Sequence, residues 1–218
     1  MLAAGDLDGT FGTGGIVVED FQGPGEDNPW AGVAIQSNGR IITAGRTKSA
    51  GIDRIGMTAQ NQDGTIDTTF GANGYVVTGF APVNANSDYA LAITITTDDK
   101  IVLAGRGGAA PGLGVARYLP DGSPDPSFNG IGQVSVPGVG MANDVAVDAQ
   151  GRIVTVGTTN NSFSIVRLDV NGTLDTTFNG IGKQSISFLG LQDNGNGIAI
   201  QADGKIVLGG FANADFGL

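Results

Sequence analysis

Short apolar runs alternate along the chain with turns rich in Gly, Asn and Asp, and the order of these signals recurs. Apolar residues stand two apart at Val33 and Ile35, Ile93 and Ile95, Val145 and Val147, and Ile198 and Ile200. A period of two predicts strands with one face buried. Each pair is followed by a tight turn, at Asn38-Gly39, Asp98-Asp99, Gln150-Gly151 and Asp203-Gly204. These dipeptides supply positive φ angles and predict two-residue hairpins. A second apolar strand follows, over 41–45, 101–105, 153–157 and 206–209, ending each time in Gly. A third is predicted over 55–59, 113–118 and 163–168, running into the turns Asp63-Gly64, Asp121-Gly122 and Asn171-Gly172.

The sharpest marker of the repeat is a box of an acidic residue, a hydroxyl residue and Phe. It reads Leu7-Asp8-Gly9-Thr10-Phe11, Ile66-Asp67-Thr68-Thr69-Phe70, Pro124-Asp125-Pro126-Ser127-Phe128 and Leu174-Asp175-Thr176-Thr177-Phe178. The copies start at 7, 66, 124 and 174, spaced by 59, 58 and 50 residues. Behind each box lies one more short strand, at Ile16–Val18, Tyr75–Val77, Gln133–Val136 and Gln184–Ser187. Four strands in such a repeat are the content of one β-propeller blade. The expected fold is therefore all-β: a propeller of four blades in one domain spanning 1–218, with the box Phe packing between blades. A blade cannot bury both faces alone and must stack on neighbours. The N- and C-terminal segments are expected to close the ring by sharing the last blade, although the join falls about two residues short of a full repeat. The rival arrangement is part of a longer array, or half of a larger ring completed by a second chain.

Composition narrows the chemistry. Hydrophobic residues make up 40%, enough for a core, and the 38 Gly follow no Gly-X-Y period, so neither a disordered nor a collagenous chain is indicated. The net charge of −10, with only 11 Lys and Arg, makes nucleic acid and anionic membrane surfaces poor partners. Neither Cys nor His is present, which removes disulfides, thiolate metal sites and the Ser-His-Asp arrangement. No apolar run approaches the ~20 residues of a membrane-spanning helix. Met1–Gly5 reads as a native start or as the remnant beyond a removed secretion signal.

The copies Asp203-Gly204-Lys205-Ile206-Val207-Leu208-Gly209-Gly210 and Leu113-Gly114-Val115-Ala116-Arg117-Tyr118, together with the Phe boxes, resemble the bacterial delta-60 repeat family over essentially the whole chain. The resemblance implies a β-propeller and a secreted or surface-associated bacterial protein, and it transfers no catalytic residue. The first copy departs from the pattern, with Ala59-Gln60 where Arg117-Tyr118 and Arg167-Leu168 stand.

Several residues are candidates for a site. Asp169, Asn171 and Asp175 place oxygens at alternate positions around Gly172, as calcium loops do; the competing expectation is that they open β-turns. Calcium is the one cofactor this pattern suggests. Arg46, Arg106, Arg117 and Arg167 suggest either a polar ring or pairing with the plentiful carboxylates. Trp30, with Asp27 in its loop, and Tyr89, with Asp88 beside it, lie in length-variable segments that precede the alternating strand. Such loops gather on one face of a propeller and commonly bind ligands. Glu26, Asp27 and Asp88 offer carboxylates for acid/base chemistry, with no pair singled out. The expected function is a non-enzymatic, extracellular binding or scaffold module contacting a glycan or protein. Its alternatives are a self-assembling homo-oligomer and a carboxylate-dependent enzyme assisted by calcium.

Overall fold

A computed structural model describes residues 5–19, 28–49, 51–80, 88–107, 112–188, 192–212 and 215–217, the side chains of 28–31 and 215–217 not among them. The elements are β1 (Asn28–Ile35), β2 (Ile41–Ser49), β3 (Ile52–Gln60), β4 (Tyr75–Thr78), β5 (Tyr89–Ile95), β6 (Ile101–Arg106), β7 (Gly112–Tyr118), β8 (Gln133–Pro137), β9 (Ala142–Val147), β10 (Ile153–Thr159), β11 (Ser162–Leu168), β12 (Lys183–Ile186), β13 (Asp193–Ile200), β14 (Ile206–Ala212) and β15 (Asp215–Gly217). They form three four-stranded sheets and one three-stranded sheet, each a meander of sequence neighbours. All ladders are antiparallel, as short connections require. Among the described residues there is no helix.

The hairpins differ from the sequence expectation in one detail. Only the second residue of each turn has positive φ: Gly39 (83°), Asp99 (62°), Gly151 (79°) and Gly204 (83°). Gly39 N–H donates to Gln36 O and Gln36 N–H to Arg40 O, both at 2.9 Å. That is a three-residue loop, a type I turn closed by one left-handed residue, rather than a two-residue turn. Asp99 is the costly variant, and the Ser37 amide donates to its Oδ1 at 2.7 Å.

Each sheet has two faces, and packing between successive sheets covers them. We call the face toward the preceding sheet incoming and the opposite one outgoing. Ile42, Ala44, Ile55, Met57 and Ala59 leave the first sheet on its outgoing face and meet Ala90, Ile101, Leu103, Ala116 and Tyr118 of the second, with Phe70 and Phe80 filling the seam. Val102, Ala104, Leu113 and Val115 of the second meet Ala142, Val145, Ile153, Val166 and Leu168 of the third around Phe128. The box residues Phe70 and Phe128 pack between sheets and are fully buried, whereas Phe11 and Phe178 are half-buried and lie outside both clusters. Gly114 keeps the second sheet's incoming face low so that the Phe80 ring can lie on it, and a Cβ there would overlap that ring. Gly195 and Gly210 admit Val156 and Phe163 at the third seam in the same way.

The two terminal faces have no such cover. Val207, on the outgoing face of the fourth sheet, is 40% exposed, whereas its counterparts Ile42, Val102 and Val154 are at most 1% exposed. Among the described residues the fourth sheet has three strands where the others have four. Ile16–Val18, expected as a strand, makes only isolated bridges from Ile16 to Gly12 and Thr13. In the other repeats the equivalent segment pairs with the third strand of the sheet before it, as β4 pairs with β3, and among the described residues Ile16–Val18 has no such ladder. Ring closure is not formed among the described residues.

Candidate functional site

The two ends of the sheets differ in kind. At the hairpin end, one polar motif recurs. Arg117, on β7, donates from Nε to Asp125 Oδ2 (2.7 Å), from Nη2 to Ser127 Oγ (3.0 Å), and from Nη1 to Val170 O of the next sheet's turn (2.7 Å). Its guanidinium lies 4.7 Å from the Phe128 ring centroid, within cation–π range. Arg167 repeats this with Asp175 (2.7 Å), Thr177 (3.0 Å) and Phe178 (4.8 Å). The first repeat has Ala59 where that Arg stands, yet its box is clamped identically. Arg40, from the β1–β2 hairpin, donates to Asp67 Oδ2 (2.7 Å), Thr69 Oγ1 (3.1 Å) and Pro120 O (2.9 Å). In the first repeat the clamp is therefore built from a hairpin residue instead of one on the third strand.

The box carboxylates are tuned by this motif. Burial raises the pKa of Asp125, but hydrogen bonds from the Ser127 hydroxyl and amide and from Arg117 outweigh it, lowering it to about 2. Asp67 is lowered first by Thr69 and then by Arg40. Asp175 is lowered chiefly by Thr177, with Arg167 adding to it. These are the signatures of carboxylates held charged by donors.

The residues of the calcium expectation lie at this end. Asp169 Oδ1 accepts from Val170 N–H at 2.7 Å, and Asn171 Oδ1 accepts from the Thr173 amide and hydroxyl at 3.1 and 2.8 Å. Asp175 Oδ1 accepts from the Thr177 amide and hydroxyl at 3.0 and 2.6 Å, while its Oδ2 faces Arg167 and Arg152. The two Asx side chains at 171 and 175 thus close turns. The four Arg of the other expectation do not form one ring. Arg117 and Arg167 pair with box carboxylates, whereas Arg46 and Arg106 stand at the opposite end of their strands.

That opposite end carries the loops of variable length. The first strand of each sheet, β1, β5, β9 and β13, is bulged there: register shifts occur between Asn28 and Gly32, Ala90 and Ala92, Gly195 and Gly197, and opposite Val156 and Gly157. Bulges re-aim side chains next to functional surfaces. Tyr89 stands directly opposite Arg106 across β5 and β6, so both side chains leave one face of the sheet. Beside Arg106 opens a groove of about 460 Å³ lined by Met141, Asn143, Thr158 and Asn194. Asn143 Nδ2 donates to Asn194 Oδ1 and Gly195 O, both at 2.8 Å, and Thr158 also bonds Asn194 Oδ1. One wall is thereby fixed across the third and fourth sheets. Arg106 is exposed. Among the described residues its guanidinium makes none of the ion pairs that hold Arg46, Arg54, Arg117 and Arg167.

The remaining expected residues are placed as follows. Asp88 is buried at 2% exposure, with Arg54 Nη1 3.7 Å from its Oδ2 and its own amide donating to Asp53 O at 3.1 Å. Trp30 lies on β1 at the same end, but its side chain, like Asp27 and Glu26 entirely, is outside the described residues. Asp193 repeats the anchor of Asp88, its amide donating to Asn161 O at 3.0 Å. Its Oδ2 accepts from Ser187 and Phe188, and Oδ1 is buried without a partner, because Ser162 stands where the first sheet has Arg54. Sequence reasoning picked out Arg106 and Tyr89 but missed Asn143 and Asn194. The repeated bulge that brings them together leaves no mark in the apolar period.

Comparison with known proteins agrees with this architecture. Residues 36–70, 96–128 and 150–178 match the family model described as "Domain of unknown function (DUF5122) beta-propeller". No curated protein matches the chain significantly. The three matched segments each run from a hairpin turn to a box Phe, across the clamp. Over these three segments the chain is similar to β-propeller-type repeats.

Proposed function

We propose that this protein is a non-enzymatic binding module: a scaffold of four blades presenting the loop end of its sheets to an acidic glycan. Arg106 carries the reading. It is an exposed guanidinium in a chain of net charge −10, set beside a groove whose Asn and Thr groups suit sugar hydroxyls and opposite Tyr89, a ring of the type sugars stack on. The N-terminal box and the three-stranded fourth sheet are complementary parts of one blade, whose pairing completes the ring. The test is an array of acidic and neutral glycans. Wild-type binding to carboxylated glycans, weakened tenfold or more in Arg106→Ala at unchanged melting temperature, is the expected result. Retention by neutral glycans alone, or by none, refutes it.

A second reading, self-assembly of identical chains, is favoured by the uncovered apolar positions at both ends of the stack, Val33 and Ile35 at one and Val207 and Phe211 at the other.

A further inference from the structure

We infer that the two uncovered faces are halves of one interface, and that the occupant of each is a second copy of this chain. This rests on the reading that the N-terminal box and the fourth sheet complete one blade, and it specifies that they do so between molecules.

The incoming face of the first sheet is an open cavity of about 400 Å³ lined by Val33, Ile41, Thr43, Gly45, Gly56 and Thr58, with Phe11 and Val17 of the N-terminal segment at its rim. Its residue types are those the chain buries elsewhere. Thr43 corresponds to Thr155, wholly buried at the seam between the second and third sheets. Gly56 corresponds to Gly114, on which the Phe80 ring lies. Val33, 61% exposed, corresponds to Val145, 6% exposed within that seam. The outgoing face of the fourth sheet offers the counterpart, Val207 and Phe211, each 40% exposed. The chain forms this face-to-face seam internally three times, so the terminal pair continues an interface already in use.

A charge pattern sets the register. The hairpin cation of each sheet reaches the carboxylate of the box that follows it: Arg40 to Asp67, Lys100 to Asp125 at 3.4 Å, and Arg152 to Asp175 at 3.5 Å. The same register assigns Lys205 of the fourth sheet to Asp8. Asp8 is exposed; its Oδ1 accepts from the Thr10 amide and hydroxyl, and no cation is near its Oδ2 among the described residues. Among the described residues Lys205 pairs with the exposed Asp203 alone. The N-terminal box is meanwhile already seated on the first sheet, Gly12 N–H donating to Asp63 O at 2.7 Å, as Gly71 and Asn129 donate to Asp121 and Asn171. The box and the fourth sheet are thus held at opposite ends of one stack, and each presents its free side outward. Head-to-tail contact of this kind closes when two copies meet reciprocally and extends otherwise.

The chain has no Cys, so cross-linking is unambiguous. Asp8→Cys and Lys205→Cys single variants, both at exposed positions, are mixed at equal concentration and treated with a short bismaleimide. The expected product is a covalent heterodimer that neither variant yields alone, and mass photometry of the untreated protein shows dimers or longer species. Phe211→Glu is expected to reduce that association at least tenfold without changing the melting temperature. The double variant separates the failures. Cross-linking only within one chain overturns the inference while leaving blade completion intact; cross-linking neither within nor between chains overturns both.

Discussion

Arg40 offers the sharpest perturbation of this fold, because the first repeat has no second cation for its box. Asp125 is reached by both Arg117 at 2.7 Å and Lys100 at 3.4 Å, and Asp175 by both Arg167 at 2.7 Å and Arg152 at 3.5 Å. Asp67 is reached by Arg40 alone among the described residues. The pair is mostly buried, with side-chain exposures of 14% and 13%. Removing one partner of a buried pair costs about 3–5 kcal/mol, because the remaining charge is stranded. Residual solvent contact places Arg40→Ala at the low end, about 3 kcal/mol. For a chain of this size that lowers the melting temperature by about 6–12 °C. The informative step is the rescue. Ala59 occupies the position from which Arg117 and Arg167 clamp their boxes. Ala59→Arg alone should destabilise by about 1–3 kcal/mol, since it overfills a seam where a guanidinium already sits. In the double variant the new side chain inherits the vacated clamp, and stability should return to within about 1 kcal/mol of wild type, a strong favourable coupling. Thermal and urea unfolding followed by circular dichroism measure all four corners of the cycle. Additive losses in the double variant would refute the idea that the clamp is one site with interchangeable donors.

Three further outcomes follow from the same geometry. Asp125 has a folded-state pKa depressed to about 2 from 3.8; its contribution is therefore complete above the unfolded value and lost as pH falls from about 4 toward 2. The melting temperature should drop in that window and drop less steeply in Asp125→Asn; equal slopes would count against it. Phe80, fully buried at the first seam, should cost about 3–5 kcal/mol on replacement by Ala, and urea midpoints that barely move would show that the seam is not packed as described. Because Asn171 and Asp175 already close turns with their own Thr neighbours, calcium and chelator should leave the melting temperature unchanged; a rise with calcium would revive the metal reading.

Much of this fold was legible in the sequence, for particular reasons. The apolar pairs two apart and the Asx-Gly turns locate nearly every strand, since alternation and left-handed turn residues are local properties. The Phe boxes locate the seams, because a residue buried between repeats must recur with them. Other features depend on what lies alongside. Ile16–Val18 has strand composition, but a strand needs a ladder partner, and among the described residues it makes only isolated bridges. Arg40 reads as an ordinary hairpin residue; only the fold reveals that it reaches the box whose third strand carries Ala59 where the others carry Arg. Asp88 reads as a loop carboxylate open to ligand, yet the chain buries it against Arg54. The groove beside Arg106 combines side chains from β6, β9, β10 and β13, and no spacing along the chain encodes that meeting.

In the proposed fold the N-terminal segment and the fourth sheet are parts of one blade. Amide hydrogen exchange at Ile16–Val18 tests it most directly, with Tyr75–Val77 as the internal standard, since those residues pair with β3. If the blade is completed, in one chain or between two, the amides of 16–18 that face the ladder exchange as slowly as their counterparts in β4. Exchange of all three at the rate of an open chain, while β4 stays protected, would contradict the account.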